Sequence, residues 1–329
     1  MNRWERRDTD PLGPSKVELS NLLLEYERRI ERLGSIKERA RRLQLLLTAT
    51  EALEDLPLSD MLSLNVRTFT HLFDGSSDWI VRSFRIAGGR DAVVMYFDGL
   101  TDAKRIDAFV VRPLMYEAFP IRSAVDHEQV RHLLQRHAVA LSQIRTVGSV
   151  REVADCLLHG DAALLLDGDA TALVLSARQF DKRQVSEPET EAVIRGPREG
   201  FVEDLRTNTA LLRRRIRTPE LKLENVRVGR LSRSDVVIAY IRGIAPDVIV
   251  REVMRRVSRI RIDGIISDSY IEELIEDDPY SPFPQVLSTE RPDTVAANLL
   301  EGRVAILVDG SPFVLVAPVT LWSMMQASE

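Results

Sequence analysis

The spacing of apolar positions changes several times along the chain, and each change predicts a different element. From Val17, the residues Leu19, Leu22, Tyr26, Ile30, Leu33 and Ile36 recur at intervals of three and four with Glu and Arg between them, which predicts a helix with one apolar stripe. Such a stripe suits a coiled coil between copies or a helix lying on its own domain, and Gly34 in mid-pattern favours the second. Residues 1–16, with Pro11, Pro14 and many charges, read as a mobile start. Beyond residue 65 short apolar runs take over. Residues 79–86 and 92–97 read as strands around Gly88-Gly89, followed by a helix over 102–116 that buries Ile106, Phe109, Val110 and Leu114. A helix over 128–135 and a short strand over 143–147 come next. Ser149-Val-Arg-Glu152 has the form of a capping box, in which hydroxyl and carboxylate satisfy free amides at a helix start. That helix carries Val153, Ala154, Leu157 and Leu158 on one face and ends at Gly160. Strands over 162–166 and 171–176 flank Asp167-Gly168, a hairpin turn in which glycine accepts positive φ.

The same order of elements then returns. Val153-Ala-Asp-Cys-Leu-Leu-His-Gly160 and the Asp167-Gly168 turn reappear as Val295-Ala-Ala-Asn-Leu-Leu-Glu-Gly302 and Asp309-Gly310, while Val93-Val-Met-Tyr96-Phe-Asp-Gly99 reappears as Val237-Ile-Ala-Tyr240-Ile-Arg-Gly243. Two phrases in one order at nearly one offset, 142 and 144 positions, indicate a duplicated folding unit. The expected fold is therefore α/β: two similar tandem subdomains with mixed β-sheets, joined by a helical connector and preceded by an N-terminal helical segment. The boundaries expected are 1–64 for the extension, 65–182 for the first subdomain, 183–220 for the connector with a helix over 200–217, 221–320 for the second subdomain, and 321–329 as a stub. In the second copy Pro246 and Pro292 fall near helix starts, where a missing amide costs nothing. Its added feature is an acidic helix, Ile271-Glu-Glu-Leu-Ile-Glu-Asp-Asp278, running into the stiff turn Pro279-Tyr-Ser-Pro-Phe-Pro284.

Composition narrows the function more than the fold. The 329 residues suffice for two cores, and 44% hydrophobic content is that of a folded protein. With 45 basic against 50 acidic residues the formal charge is −5, which argues against a nucleic-acid binder that works by neutralising phosphates. The single cysteine, Cys156, allows no internal disulfide and suits a reducing compartment. A charged start without an apolar run behind it predicts no secretory signal, and no run long enough to span a bilayer occurs.

Candidate chemistry is sparse. His71, His127, His132, His137 and His159 never pair with a carboxylate at zinc-ligand spacing, and they read as surface residues. Gly196-Pro-Arg-Glu-Gly200 precedes a helix, but without a lysine or a following Ser or Thr it reads as a structural turn rather than a phosphate loop. The acidic set Glu272, Glu273, Glu276, Asp277 and Asp278 lacks an EF-hand's alternation and reads as a solvated face. Arg213, Arg214, Arg215 and Arg217 form the densest basic run, expected to fold back onto Glu199, Glu203 and Asp204. No nucleophile, base and orienting group can be assembled, so neither an enzyme nor a cofactor or metal site is expected.

Several segments carry a more specific wording. Ser186-Glu-Pro-Glu-Thr190, Ile194-Arg-Gly-Pro-Arg-Glu-Gly-Phe-Val-Glu203, Thr207-Asn208 through Arg215, Tyr280-Ser-Pro-Phe-Pro-Gln285, Thr289-Glu-Arg-Pro-Asp293 and Gly302 through Val314 closely resemble the A-subunit family of bacterial spore germinant receptors, over about residues 62–329. The resemblance implies a cytosolic N-terminal region preceding a membrane domain, on the cytosolic face of the spore inner membrane. It implies B and C receptor subunits as partners, other A subunits as a further partner, attachment to the membrane through a C-terminal domain, and no nucleic acid. It implies a non-enzymatic scaffold and signal-coupling role in nutrient-triggered germination. Two alternatives stay open: a module binding a small molecule in a cleft between the subdomains, and the same domain of an accessory A-like germination protein. The candidate coupling or interface residues are Glu187, Glu189, Arg195, Arg198, Arg213, Arg214, Arg215, Glu290, Arg291 and Asp293. Arg291 stands at the positive end of the helix opened by Pro292, so it is expected to turn away and pair with Glu187, Glu189, Glu191 or the acidic helix.

Overall fold

The computed structural model describes residues 56–87, 89–116, 130, 143–179, 191, 197, 199–277 and 284–319. The expected N-terminal helix from Val17, the helix over 128–135 apart from Val130, most of the connector's first half and the stub lie outside them. The first subdomain contains α1 (Leu62–Leu72), β1 (Trp79–Arg85) and β2 (Asp91–Phe97). There follow α2 (Ala103–Ile106), a π-helical turn (Asp107–Val111), α3 (Arg112–Tyr116), β3 (Ile144–Val147), α4 (Val150–Leu158), β4 (Ala162–Leu166) and β5 (Ala172–Leu175). The second contains α5 (Leu205–Arg215), β6 (Leu221–Val228), β7 (Ser234–Ile241), α6 (Asp247–Arg259), α7 (Asp268–Ile275), β8 (Leu287–Thr289), α8 (Pro292–Leu300), β9 (Val304–Val308) and β10 (Val314–Ala317).

Each subdomain is built on a five-stranded sheet, ordered β1-β2-β4-β5-β3 in the first and β6-β7-β9-β10-β8 in the second. The two orders are the same path, so the duplication read from the sequence is a duplication of topology. Among the named strands every pair is antiparallel, and the mixed sheets expected from alternating strands and helices narrow to antiparallel ones. Both faces of each sheet are covered. In β2, Ala92, Val94 and Tyr96 face one core with α2, the π turn and α3, while Val93, Met95 and Phe97 face another with α1 and α4. In the second sheet, Val237, Ala239, Leu307 and Val316 meet α5 and α8, while Val236, Ile238, Ile306 and Leu315 meet α6 and α7. Burial on both faces explains why β4 (AALLL) and β9 (VAILV) read as uninterrupted apolar runs instead of alternating ones.

Local signals hold where their chemistry is local. The Ser149 hydroxyl accepts from the Glu152 amide at 3.3 Å, and the Glu152 carboxylate reaches back to the Gly148 amide at 3.4 Å. Asp167-Gly168 and Asp309-Gly310 turn with φ of +77° and +85° at the glycines. The turns do more than reverse the chain. Asp167 Oδ1 accepts from the Leu62 amide at the start of α1, and Asp309 Oδ1 accepts from the Leu205 amide at the start of α5. The side chain of Asn65 both accepts from the Ser59 amide and donates to its carbonyl, and Asn208 does the same with Val202. These matched contacts make α5 the counterpart of α1. The helix expected over 200–217 as a connector is the opening helix of the second unit, with Phe201, Leu205, Leu211, Leu212 and Ile216 in that unit's core.

Candidate functional site

The two units meet along α5, β6 and residues 74–78, where apolar packing gives way to charge. Residues 75–77 run beside β6 as an added edge: the Ser77 amide donates to the Leu223 carbonyl, and the Leu223 amide to the Gly75 carbonyl, both at 2.8 Å. The exposed edge of the second sheet is thereby covered by the first subdomain. One residue further, Asp78 receives two parallel hydrogen bonds from Arg213 of α5, Nε to Oδ2 at 2.6 Å and Nη2 to Oδ1 at 2.8 Å. The side chains are 1% and 0% exposed. The guanidinium also lies 4.3 Å from the centre of the Phe97 ring, and Phe97 packs with Phe73 and Trp79 into an aromatic cluster under it. A planar guanidinium that matches a carboxylate on one edge and an arene on its face fixes the orientation of α5 against the first sheet. Ala210 of α5, on the same side, enters the core of the first subdomain.

Beside this pair lies a second buried charge. Lys222 of β6 is fully buried, and its Nζ meets the Leu72 carbonyl at 3.4 Å, the long end of a hydrogen bond. Burial pulls its ammonium down to about 8; Glu220 and Asp74 pull it upward, while Arg242 and Arg213 push it further down. Three polar atoms of residues 74–79, Ser76 Oγ, Ser77 Oγ and Trp79 Nε1, are buried without a hydrogen-bond partner. More exposed ion pairs frame the junction, Arg242 with Asp74 at 3.6 Å and Arg206 with Asp98 at 3.4 Å.

The three consecutive arginines divide their work. Arg213 crosses to Asp78, Arg214 donates to the Gln179 carbonyl at 3.0 Å, and Arg215 pairs with Glu199 at 2.9 Å. Of the expected partners only Glu199 takes part. Arg291 pairs with Asp293 at 2.6 Å, two residues on, and of the expected partners Glu191 adds its charge at Arg291 without a bond. The reason is local: Asp293 sits in the first turn of α8, where a carboxylate suits the helix's positive end and neutralises the arginine beside it. Burial pushes the Asp293 carboxyl up, but the hydrogen bonds and charge of Arg291 outweigh it and hold the group below the usual range. The second subdomain does reach Glu191, through the Thr289 hydroxyl at 2.7 Å. Glu290 is buried, and its carbonyl accepts from the Phe201 amide at 2.8 Å. Glu187, Glu189, Arg195 and Arg198 lie outside the described residues.

Asp78 and Lys222 were absent from the candidates, although strand pairing shows what marks Lys222. It stands opposite Tyr240 where Ile80 stands opposite Tyr96, so a charge occupies a position that the other copy fills with a branched alkyl group. Among the described residues, no group of His, Cys, Asp and Glu could hold a metal ion, and no helix is long and apolar enough to cross a membrane. Cys156 lies beside Arg145 Nη2 at 3.4 Å, and burial raises its thiol above the ordinary value, the reverse of an activated nucleophile.

The family model of the Bacillus/Clostridium GerA spore germination protein matches residues 67–329. The chain belongs to that family. It is 40% identical over 295 residues to the uncharacterized membrane protein YfkQ of Bacillus subtilis strain 168, covering 89% of this chain and 56% of that protein. To spore germination protein B1 of the same organism it is 38% identical over 258 residues, 78% of this chain and 52% of the relative. The chain thus spans about half the length of the curated relatives it matches. The crystal structure of the N-terminal domain of the A subunit of the Bacillus megaterium spore germinant receptor GerK3 superposes with a TM-score of 0.62 at 32% identity. That match covers 80% of this chain and 97% of the GerK3 domain, so the fold is that of a germinant receptor A subunit's N-terminal domain.

Proposed function

We propose that this chain is the cytosolic N-terminal domain of a spore germinant receptor A subunit, acting as a non-enzymatic scaffold that couples its two subdomains to the receptor's remainder at the spore inner membrane. Receptor B and C subunits, and other A subunits, are the partners this reading calls for. The observation that carries it is the buried Asp78–Arg213 pair, which with the added edge strand docks one duplicated unit onto the other in a single orientation. A docked pair of rigid lobes transmits a displacement at one end to the other, provided that the joint has two arrangements.

The test uses full-length subunits carrying Asp78→Leu together with Arg213→Met, an apolar pair that keeps volume at the joint while removing its directional bonds. Subunit quantity and nutrient germination rate are measured in the same spores. The expected result is a rate that falls more than the quantity does. A rate that tracks quantity makes the joint purely structural and ends the coupling reading.

A second reading is favoured by the partnerless Ser76 Oγ, Ser77 Oγ and Trp79 Nε1, since unsatisfied donors between two lobes suit a small polar ligand. A thermal-shift screen separates the two, because a specific ligand at 100 times its Kd adds about 2.7 kcal/mol. Candidate germinants that leave the transition unmoved would remove this second reading.

A further inference from the structure

Lys222 presents a physical anomaly that neither scaffold nor ligand binding explains. An ammonium removed from water needs several acceptors, and this one has a single long contact to a backbone carbonyl. Its stem packs under residue 75, where a Cβ added to Gly75 would lie 3.3 Å from Lys222 Cδ. Residues 72 and 75 of the first subdomain thus lie against the amine and the stem of the lysine. When the units separate, water reaches the amine.

The charged groups facing it come from every side of the joint: Glu220 before β6, Asp74 after α1, Arg242 after β7, and Arg213 of α5. Arg213 is already committed to Asp78, and Arg242 contacts both the carbonyl and the carboxylate of Asp74. The two acids share the site with two guanidinium groups, and among the described residues Lys222 Nζ forms no ion pair, the charges of Glu220 and Asp74 reaching it only at a distance.

We propose that the junction is a proton-sensitive latch, in which Lys222 gives up a proton when the two subdomains close on it and takes one back when they part. Ser76 Oγ and Ser77 Oγ, in the segment that follows Gly75 along β6, work in the same direction, because partnerless hydroxyls at the joint recover hydrogen bonds from water on opening. The sign follows from linkage. A base whose value is lower in the closed state destabilises that state while charged, so closing becomes more favourable as pH rises through about 8 and stops gaining near the open-state value of 10.5. The inference deepens the coupling reading by naming the proton as an input to the joint, but the latch is tested without any receptor activity.

The experiment is native-state hydrogen exchange of the purified chain between pH 7 and 9.5, read at the Ser77 and Leu223 amides that tie the units together and corrected for base-catalysed intrinsic exchange. The wild-type opening constant is expected to decline above pH 8, approaching tenfold per unit. Lys222→Met, which fills the same space without a charge, is expected to show a flat profile and a smaller opening constant at pH 7. Identical profiles for the two proteins, or easier opening in the variant at pH 7, overturn the proposal. Should the variant fail to fold, NMR titration of the wild-type Lys222 ε-methylene decides: a midpoint near 8 supports the latch, and one at or above 10 refutes it. Failure here leaves the germination test of the Asp78–Arg213 joint standing, and failure there leaves the latch standing.

Discussion

The residue that commits most to the joint is Arg213, and its worth depends on what is left behind when a partner is removed. Taking away the Asp78 carboxylate strands a guanidinium at 0% exposure, with only a 3.4 Å contact to the Leu221 carbonyl and the Phe97 ring for compensation. Breaking a buried pair in this way typically costs about 3 to 5 kcal/mol, whereas replacing both partners by packed apolar groups is close to neutral. Asp78→Ala is therefore expected to destabilise the chain by about that amount in urea denaturation, and Asp78→Leu with Arg213→Met to recover most of the loss. A single-variant cost under about 1 kcal/mol would mean that the pair is hydrated and contributes no more than a surface bridge. The pair also explains its own invisibility in the sequence. Its partners lie 135 positions apart, and Arg213 sits in a run of three arginines whose other members make unremarkable contacts.

At the scale of elements, what was legible is what neighbouring residues decide. The capping box at Ser149, the Asp-Gly turns, proline at the start of α8 and the apolar runs of β4 and β9 each follow from chemistry within a few positions. The affiliation of α5 was not legible, because a helix ending Arg-Arg-Arg looks like a solvated connector until its first turn is tied to Asp309, 104 positions away. The antiparallel order was equally hidden: alternating strands and helices are compatible with parallel crossovers, and only the pairing of β2 with β4 and β7 with β9 excludes them here. One signal lies in the sequence itself, the Asn65 and Asn208 pair at the openings of α1 and α5. Each is nearly or fully buried, and each makes two hydrogen bonds to the backbone six residues earlier. Truncation removes two hydrogen bonds and leaves a part-buried amide and carbonyl without their side-chain partner, so Asn65→Ala and Asn208→Ala should each cost about 1 to 3 kcal/mol in chemical denaturation. Equal chemistry at both openings predicts nearly equal losses. A large cost at one site and none at the other would show that the duplication preserved the shape of the motif without its energetic role.

For the whole molecule the question is how tightly the two units are held, and Gly99 offers a measurement. It follows β2 with φ of +81°, and a Cβ there would lie 3.1 Å from the Arg206 carbonyl oxygen and 3.2 Å from Ala210 Cβ, both on α5 of the other unit. Gly99→Ala therefore carries two costs, backbone strain of about 1 to 2 kcal/mol for a left-handed non-glycine residue and a steric push across the joint. Gly310→Ala isolates the first, since its φ is +85° and nothing lies within 4 Å of an added Cβ. If the subdomains are docked rigidly, Gly99→Ala should cost more than Gly310→Ala by about 1 to 3 kcal/mol. It should also raise exchange at the Ser77 and Leu223 amides while Gly310→Ala leaves them unchanged. Equal costs and unchanged exchange would mean that α5 shifts by a few tenths of an ångström without resistance. A joint that yields so readily could not carry a displacement from one unit to the other, whatever the state of Lys222, and the scaffold would have to act through one subdomain alone.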